Sequence, residues 1–254
     1  MKPLYGPVPS WRLGRSLGID PVSRRQNTCS FGCIYCQLGK TMHKTNKRKV
    51  FIDEKIIEKE LQKNKKNIKA DIVTLSGTAE PTLAKNLGKI ISIIKKNTNL
   101  PIAILTNSSL LYKKDVQKDL KKLDIVVAKL DAPNETLFKK INRPYKNITL
   151  RKIINGIKSF KKQFKGKLAL QIMFIQENKR YASEMAALAK KLNVDEIQIN
   201  TTLRPCPVKP LNKKEIAKIK EKFKGLNTIT IYEKRKPKVK ILNMHETLIR
   251  RPKI

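Results

Sequence analysis

Thr28-Cys29-Ser30-Phe31-Gly32-Cys33-Ile34-Tyr35-Cys36-Gln37-Leu38-Gly39 holds three of the chain's four cysteines. Their spacing of three and then two intervening residues lets the thiols converge without help from distant chain. Gly32 and Gly39 offer the positive-φ turns that a ligand loop needs. Thiolates this close repel one another unless a cation or a cluster neutralises them. Structural zinc takes four ligands, usually as two short-spaced pairs. Here the fourth ligand would be His43 or Cys206, and neither stands at a standard spacing. Three cysteines alone suit an iron–sulfur cluster with one iron left open to a cofactor or substrate.

Outward from this loop, short β-branched runs alternate with longer lysine-bearing segments of helical period. Candidate strands are Ser16–Val22, Asp71–Ser76, Ile102–Thr106, Asp124–Leu130, Lys167–Phe174 and Glu196–Asn200. Candidate helices are Glu54–Asn64, Ala84–Lys96, Lys113–Leu123, Thr149–Phe164 and Ala182–Leu192. Leu87, Ile90, Ile91 and Ile94 form one apolar stripe for packing on a sheet. Such alternation reads as successive βαβ units, hence an α/β fold with a parallel sheet. Periodicity does not separate an open sheet from a curved partial barrel. After Asn200 come Arg204-Pro205-Cys206-Pro207, a helix over Lys213–Lys224, a possible hairpin or edge pair (Thr228–Tyr232 and Lys238–Leu242), and a short basic tail from His245. The expected division is a core over residues 1–205 and an extension over 206–254.

The 254 residues are 40% apolar with Gly 10 and Pro 13, enough for a sizeable core and against a collagen-like, proline-rich or disordered chain. Four cysteines are too few for a disulfide scaffold. No apolar run approaches the roughly 20 residues that span a bilayer. The opening stretch, residues 1–14, has no apolar core of a signal peptide. A soluble, cytoplasmic protein in a reducing compartment is expected.

Lys+Arg 57 against Asp+Glu 20 leaves a net charge of +37. Such a field attracts polyanions, nucleic acid first, although runs such as Lys63–Lys66 also read as solvated decoration. Arginine discriminates better, because its planar fork suits phosphate. Arg12, Arg15, Arg24, Arg25, Arg143, Arg204, Arg250 and Arg251 cluster near the cysteines, prolines and tail, which favours RNA or another anionic substrate.

Strand ends carry the ligand groups of open sheets and barrels. Gly77, Thr78 and Glu80 end the second candidate strand, Asn107 and Ser108 the third, and Lys129 and Asp131 the fourth. Lys129 and Asp131, two apart on a strand, point the same way and make a cation–carboxylate pair for substrate. Asn107 and Ser108 read equally as helix caps, and Gln171 and Asn200 as partners of buried backbone. Cys206 is a small buried hydrophobe, a substrate-side thiol or an oligomer ligand. His43 and His245 read as surface residues.

With Tyr35 as its aromatic, Cys-x3-Cys-x-Tyr-Cys resembles the signature loop of the radical S-adenosylmethionine (radical SAM) enzymes. The resemblance implies a partial (βα)6 TIM-like barrel with a short C-terminal extension. It implies a 4Fe-4S cluster on Cys29, Cys33 and Cys36, and S-adenosylmethionine chelating the open iron. Cleavage of that cofactor then yields a radical that abstracts hydrogen from a substrate. Gly77-Thr78-Ala79-Glu80-Pro81 is similar to the family's Gly-Gly-Glu-Pro segment in an expanded form, so Glu80 would meet the cofactor's amine. Tyr35, Gly77, Thr78, Asn107, Ser108, Gln171 and Asn200 are the further cofactor-side candidates. A ferredoxin or flavodoxin is the implied electron donor.

Tyr5–Pro21, Cys36–Gly39 and Ser76–Thr82 together resemble the subgroup of the archaeal wyosine-base (4-demethylwyosine) synthases, which act on tRNA. The chain departs from them in having no cysteine before Cys29, so their second cluster has no ligands here.

Overall fold

The computed structural model describes residues 1–252. One eight-stranded sheet organises them, in the order β1 (Leu4–Ser10), β2 (Gly14–Ile19), β5 (Ile72–Leu75), β6 (Ile102–Thr106), β7 (Ile125–Lys129), β8 (Lys167–Met173), β9 (Glu196–Asn200) and β10 (Thr228–Thr230). β1 and β2 pair antiparallel and every later pairing is parallel. A two-residue ladder, β3 (Thr28–Cys29) with β4 (His43–Lys44), stands apart in the loop that follows β2. Sequential parallel strands with helical crossovers curl the sheet into a half-barrel, with the cysteine loop after its first parallel strand.

The crossovers are α1 (Glu54–Asn64), α2 (Leu87–Asn97), α3 (Lys114–Leu120), α4 (Glu135–Asn142), α5 (Leu150–Lys161), α6 (Ala182–Leu192) and α7 (Lys213–Glu221). In α2 the stripe Leu87, Ile90, Ile91, Ile94 is fully buried, as its spacing predicts. Side-chain oxygens of Asp53, Asn134, Thr149 and Asn212 cap four of these helices by accepting from first-turn amides. Strand residues such as Val73, Ile104, Val126, Leu170 and Ile199 are buried, which a parallel sheet covered by helices requires.

Three expectations are corrected. The sheet has one strand that was not expected, β1, while the edge element expected at Thr228–Tyr232 supplies β10. Residues 228–242 form no hairpin: β10 lies parallel on β9, while Leu242 donates its amide to the Gly6 carbonyl. α4 is an additional short helix, and the short basic tail carries a helix that was not expected, α8 (Met244–Arg250), which packs on β1. Residues 253–254, the end of the expected tail, lie outside the described residues.

Candidate active site

The strand ends and the cysteine loop enclose a cavity of about 330 Å³ whose wall includes Cys29, Cys33, Cys36, Glu80, Lys129 and Gln171. Backbone bonds fix the loop from several sides. The Gly32 and Ile34 amides donate to the Asn142 and Ile141 carbonyls at the end of α4, and Tyr145 N–H donates to Ser30 O. Gly39 has φ +77° and uses its freedom; Gly32 is not among the positive-φ glycines.

Each cysteine sulfur meets one asparagine amide. Asn107 Nδ2 stands 3.4 Å from Cys29 Sγ, Asn142 Nδ2 3.4 Å from Cys33 Sγ, and Asn27 Nδ2 3.7 Å from Cys36 Sγ. Burial pushes the Cys29 thiol far up, with the Glu80 and Cys33 charges adding to it; Cys33 is also raised, chiefly by burial. Both are therefore protonated in the metal-free chain, and loading a metal expels their protons.

Among the described residues, no three His, Cys, Asp or Glu side chains gather as ligands of one ion. His43 is exposed and bonded to Gln26, while the Cys206 thiol donates to Val208 O. Three thiols of one loop on the wall of one cavity suit a cluster in which each thiolate takes its own iron, and no four-ligand zinc site is preformed among the described residues.

Glu80 is 3% exposed and is the most heavily bonded group here. Its Oε1 accepts from Thr82 N–H, Thr82 Oγ1 and Thr106 Oγ1; its Oε2 accepts from Asn107 N–H at 2.7 Å. Burial still raises its carboxyl, so a cation placed in the cavity would be welcome. Among the described residues Oε2 accepts from one donor against three on Oε1, and is the less occupied of the two oxygens.

Tyr35 donates its hydroxyl to Asp131, to which Asn142 Nδ2 and the Met173 amide also donate, each at 2.8 Å. Asp131 is thus a buried hub and is not a wall of the cavity. Lys129 is: its ammonium lies 3.9 Å from Asp131 and 4.5 Å from the centre of the Tyr35 ring. Gln171, which pairs with Lys129 across the β7–β8 ladder, and Asn200 also line the cavity.

Gly77, Thr78 and Ser108 do not reach it. A Cβ on Gly77 would come within 2.1 Å of the Asp20 carboxylate, so the glycine makes room for Asp20 instead of for a ligand. Thr78 donates both N–H and Oγ1 to Asp20 at 2.9 Å. Ser108 has φ +68° and a buried hydroxyl with no partner among the described residues; its amide donates to Thr106 Oγ1.

Two contributions escaped the sequence reading. Asn27 lies two residues before Cys29 and was locally visible, whereas Asn142 arrives from 109 residues beyond Cys33. Asp20 and Arg250 form the second: Arg250 Nε bonds Asp20 Oδ2 at 2.9 Å and Nη1 bonds Glu246 at 2.7 Å, while Nη2 reaches Lys2 O and Ser23 Oγ.

The model of the Radical SAM superfamily matches residues 24–202. A UPF0026 protein of Synechocystis sp. is 41% identical over 206 residues, covering 81% of this chain and 77% of that protein. A protein named GTPase Obg, from Brachyspira hyodysenteriae, is 40% identical over 239 residues; these are 91% of this chain and 35% of that protein, so the chain spans about a third of that relative. SuiB of Streptococcus suis bound to S-adenosylmethionine superposes with a TM-score of 0.64 at 16% identity, over 86% of this chain and 50% of SuiB. SuiB bound to its precursor peptide SuiA gives 0.63 at 17% identity, over 86% and 49%. At such identities the likeness is one of fold.

Proposed function

The chain belongs to the radical SAM superfamily, with the UPF0026 proteins as relatives, and is an enzyme of that type; from this premise we propose that its substrate is anionic and that it acts on tRNA. Its cofactors are a 4Fe-4S cluster and S-adenosylmethionine. When bound, these supply a one-electron cleavage of S-adenosylmethionine to methionine and a 5′-deoxyadenosyl radical, which takes a hydrogen atom from substrate.

Cys29, Cys33 and Cys36 hold the cluster. The observation that carries this is their exposure to one cavity with an asparagine amide on each sulfur. Glu80, through its less occupied oxygen Oε2, takes the cofactor's ammonium, and Asn107 keeps that carboxylate aimed. Gln171 and Asn200 orient the cofactor or the substrate from the neighbouring strand ends. Lys129 is the substrate contact, positioned by Asp131 and the Tyr35 ring. A small acidic ferredoxin or flavodoxin, drawn to the basic surface, delivers the electron. No helix among the described residues is long and apolar enough to cross a membrane, in keeping with work in a reducing cytoplasm.

Protein purified without oxygen should be brown, hold about four irons, and release 5′-deoxyadenosine from S-adenosylmethionine once reduced. A colourless protein with one zinc per chain would overturn the assignment. The tRNA reading rests on the +37 charge; binding to tRNA should weaken steeply between 50 and 200 mM salt. Mass spectrometry of host tRNA with and without the protein would name the nucleoside. Affinity indifferent to salt would favour the second reading, a peptide or small metabolite, which the likeness to peptide-bound SuiB supports.

Glu80→Gln keeps the shape and removes the charge. A charge-assisted hydrogen bond contributes about 1.5–3 kcal/mol, so S-adenosylmethionine should bind about 10- to 150-fold more weakly, read by equilibrium titration.

Asn27→Ala removes a single N–H from Cys36 Sγ, the one side-chain bond that Asn27 makes among the described residues. Hydrogen bonds to cluster sulfurs raise the reduction potential. A net bond of about 0.5–1.5 kcal/mol corresponds to roughly 20–65 mV for one electron, so the variant's cluster should become harder to reduce by that amount in an EPR-monitored titration.

A further inference from the structure

Arg12, Arg204 and Arg251 line the same cavity as the cysteines, and among the described residues none of them has an acidic partner. Arg12 sits in the turn of the β1–β2 hairpin. Its Nε and Nη1 are shielded from solvent and donate to nothing among the described residues, and its guanidinium carbon lies 5.4 Å from the centre of the Trp11 ring. Arg251 ends α8 and is 8% exposed. Its Nη2 donates to Ser76 Oγ at 3.0 Å and Tyr5 Oη at 3.3 Å, and its Nη1 to the Arg250 carbonyl. Arg204 follows β9, and its Nη1 donates to Gln37 Oε1 at 2.9 Å, which ties it to the cysteine loop. All these acceptors are neutral.

The contrast with neighbouring Arg250, which holds two carboxylates, shows what a satisfied buried arginine looks like in this chain. Burial and mutual repulsion pull Arg12 down to about 10 and Arg204 down to about 9. Glu196, whose charge reaches Arg12, is already bonded to Lys167 and Gln198. Lys236 adds one more cation to the wall. Buried charge without a counter-charge is costly, and guanidinium forks match oxyanions in shape and charge.

We propose that Arg12, Arg204 and Arg251 form a subsite for an oxyanion, carboxylate or phosphate, carried by the substrate. The inference rests on the enzyme reading above and deepens it. The chemistry of the pocket asks for a planar or tetrahedral oxyanion that brings its own negative charge into the cavity, beside the place where hydrogen is taken.

The test uses the cluster-loaded protein under anaerobic conditions. Inorganic phosphate and succinate are titrated separately by calorimetry, with and without saturating S-adenosylmethionine. Iron content and S-adenosylmethionine binding, read on the same samples, report on the enzyme assignment independently of the anion result. At least one of the two anions should bind saturably, one per chain, and stay bound beside the cofactor. The tighter of the two names the source as phosphoryl or carboxyl. Arg12→Met and Arg204→Gln should each weaken it about 10-fold or more, while the surface control Lys63→Met should not. Melting gives a second readout. The anion should raise the wild-type Tm. Arg12→Met should raise the anion-free Tm, because an unpaired buried cation is gone, and should blunt the anion's effect. A merely structural Arg12 would instead lose stability on replacement. Absence of binding by both anions, displacement by S-adenosylmethionine, or unaltered affinity in both variants overturns the subsite.

Discussion

Cys36→Ala should give a folded, colourless protein with little iron and more than about 100-fold less 5′-deoxyadenosine formation, beyond the 10- to 100-fold typical of losing a partner outside the ligands. The fold survives because the loop does not hang on this thiol. Among the described residues the one side-chain bond to Cys36 Sγ comes from Asn27, whereas the Gly32, Ile34 and Tyr145 amides tie the loop to α4 and the segment after it, and the Cys36 and Gly39 amides tie it to itself. Replacing a partly exposed thiol by a methyl leaves little cavity, and such trimming costs about 1 kcal/mol. The measurements are iron assay, far-ultraviolet circular dichroism, thermal melting and product chromatography on one preparation. A small structural zinc module would behave oppositely and unfold when it lost a ligand. An unfolded variant would therefore remove the enzyme assignment along with the cluster.

Arg250→Met carries the largest expected loss of stability. Arg250 is fully buried and joins Asp20, Glu246, Ser23 and the Lys2 carbonyl. Removing it strands the Asp20 carboxylate, which also receives the Val22, Ser23 and Thr78 amides. Breaking a buried pair from one side costs about 3–5 kcal/mol, and at about 2–4 °C per kcal/mol for a chain of this size the Tm should fall by roughly 6–20 °C. Adding Asp20→Asn should recover part of the loss, because the stranded charge goes too. The pH dependence has a defined sign. Burial works to raise Glu246, but Arg250, the Lys2 amide and the N-terminus together hold it below its ordinary range. A carboxyl lowered in the fold contributes stability above its unfolded pKa and loses it as pH falls through the folded value. Wild type and variant should thus converge in Tm on acidification, and a gap that widens would contradict this account.

What could be read from the sequence was local or periodic. The cysteine loop declares itself within eight residues, and the apolar stripe of α2 within eight more. Strand–helix alternation is enough for the parallel order from β2 to β9, because each crossover delivers the next strand to the neighbouring position. β1 was hidden because Gly6, Pro7 and Pro9 read as loop. It is an edge strand, where proline's missing N–H is tolerated. β10 has only three residues, too few for alternation to mark its partner. Glu80, read beside its motif, lines the cavity with the cysteines, whereas residues that serve a distant partner were obscure in the sequence. Gly77 and Thr78 look like cofactor contacts beside Glu80, yet their partner is Asp20. Asp131 looks like half of a catalytic pair, yet it gathers Tyr35, Asn142 and Met173 from three directions. The unpaired arginines come from the beginning, the end and the middle of the chain; only folding shows that they share one cavity.

The Asp20–Arg250 clasp also sets a timetable for biogenesis. Its two halves are 230 residues apart, so at about 5–20 residues per second of translation the ribosome needs roughly 10–50 s to emit the second after the first. Throughout that interval the cysteine loop exists on a nascent polypeptide whose closing helix has not been made.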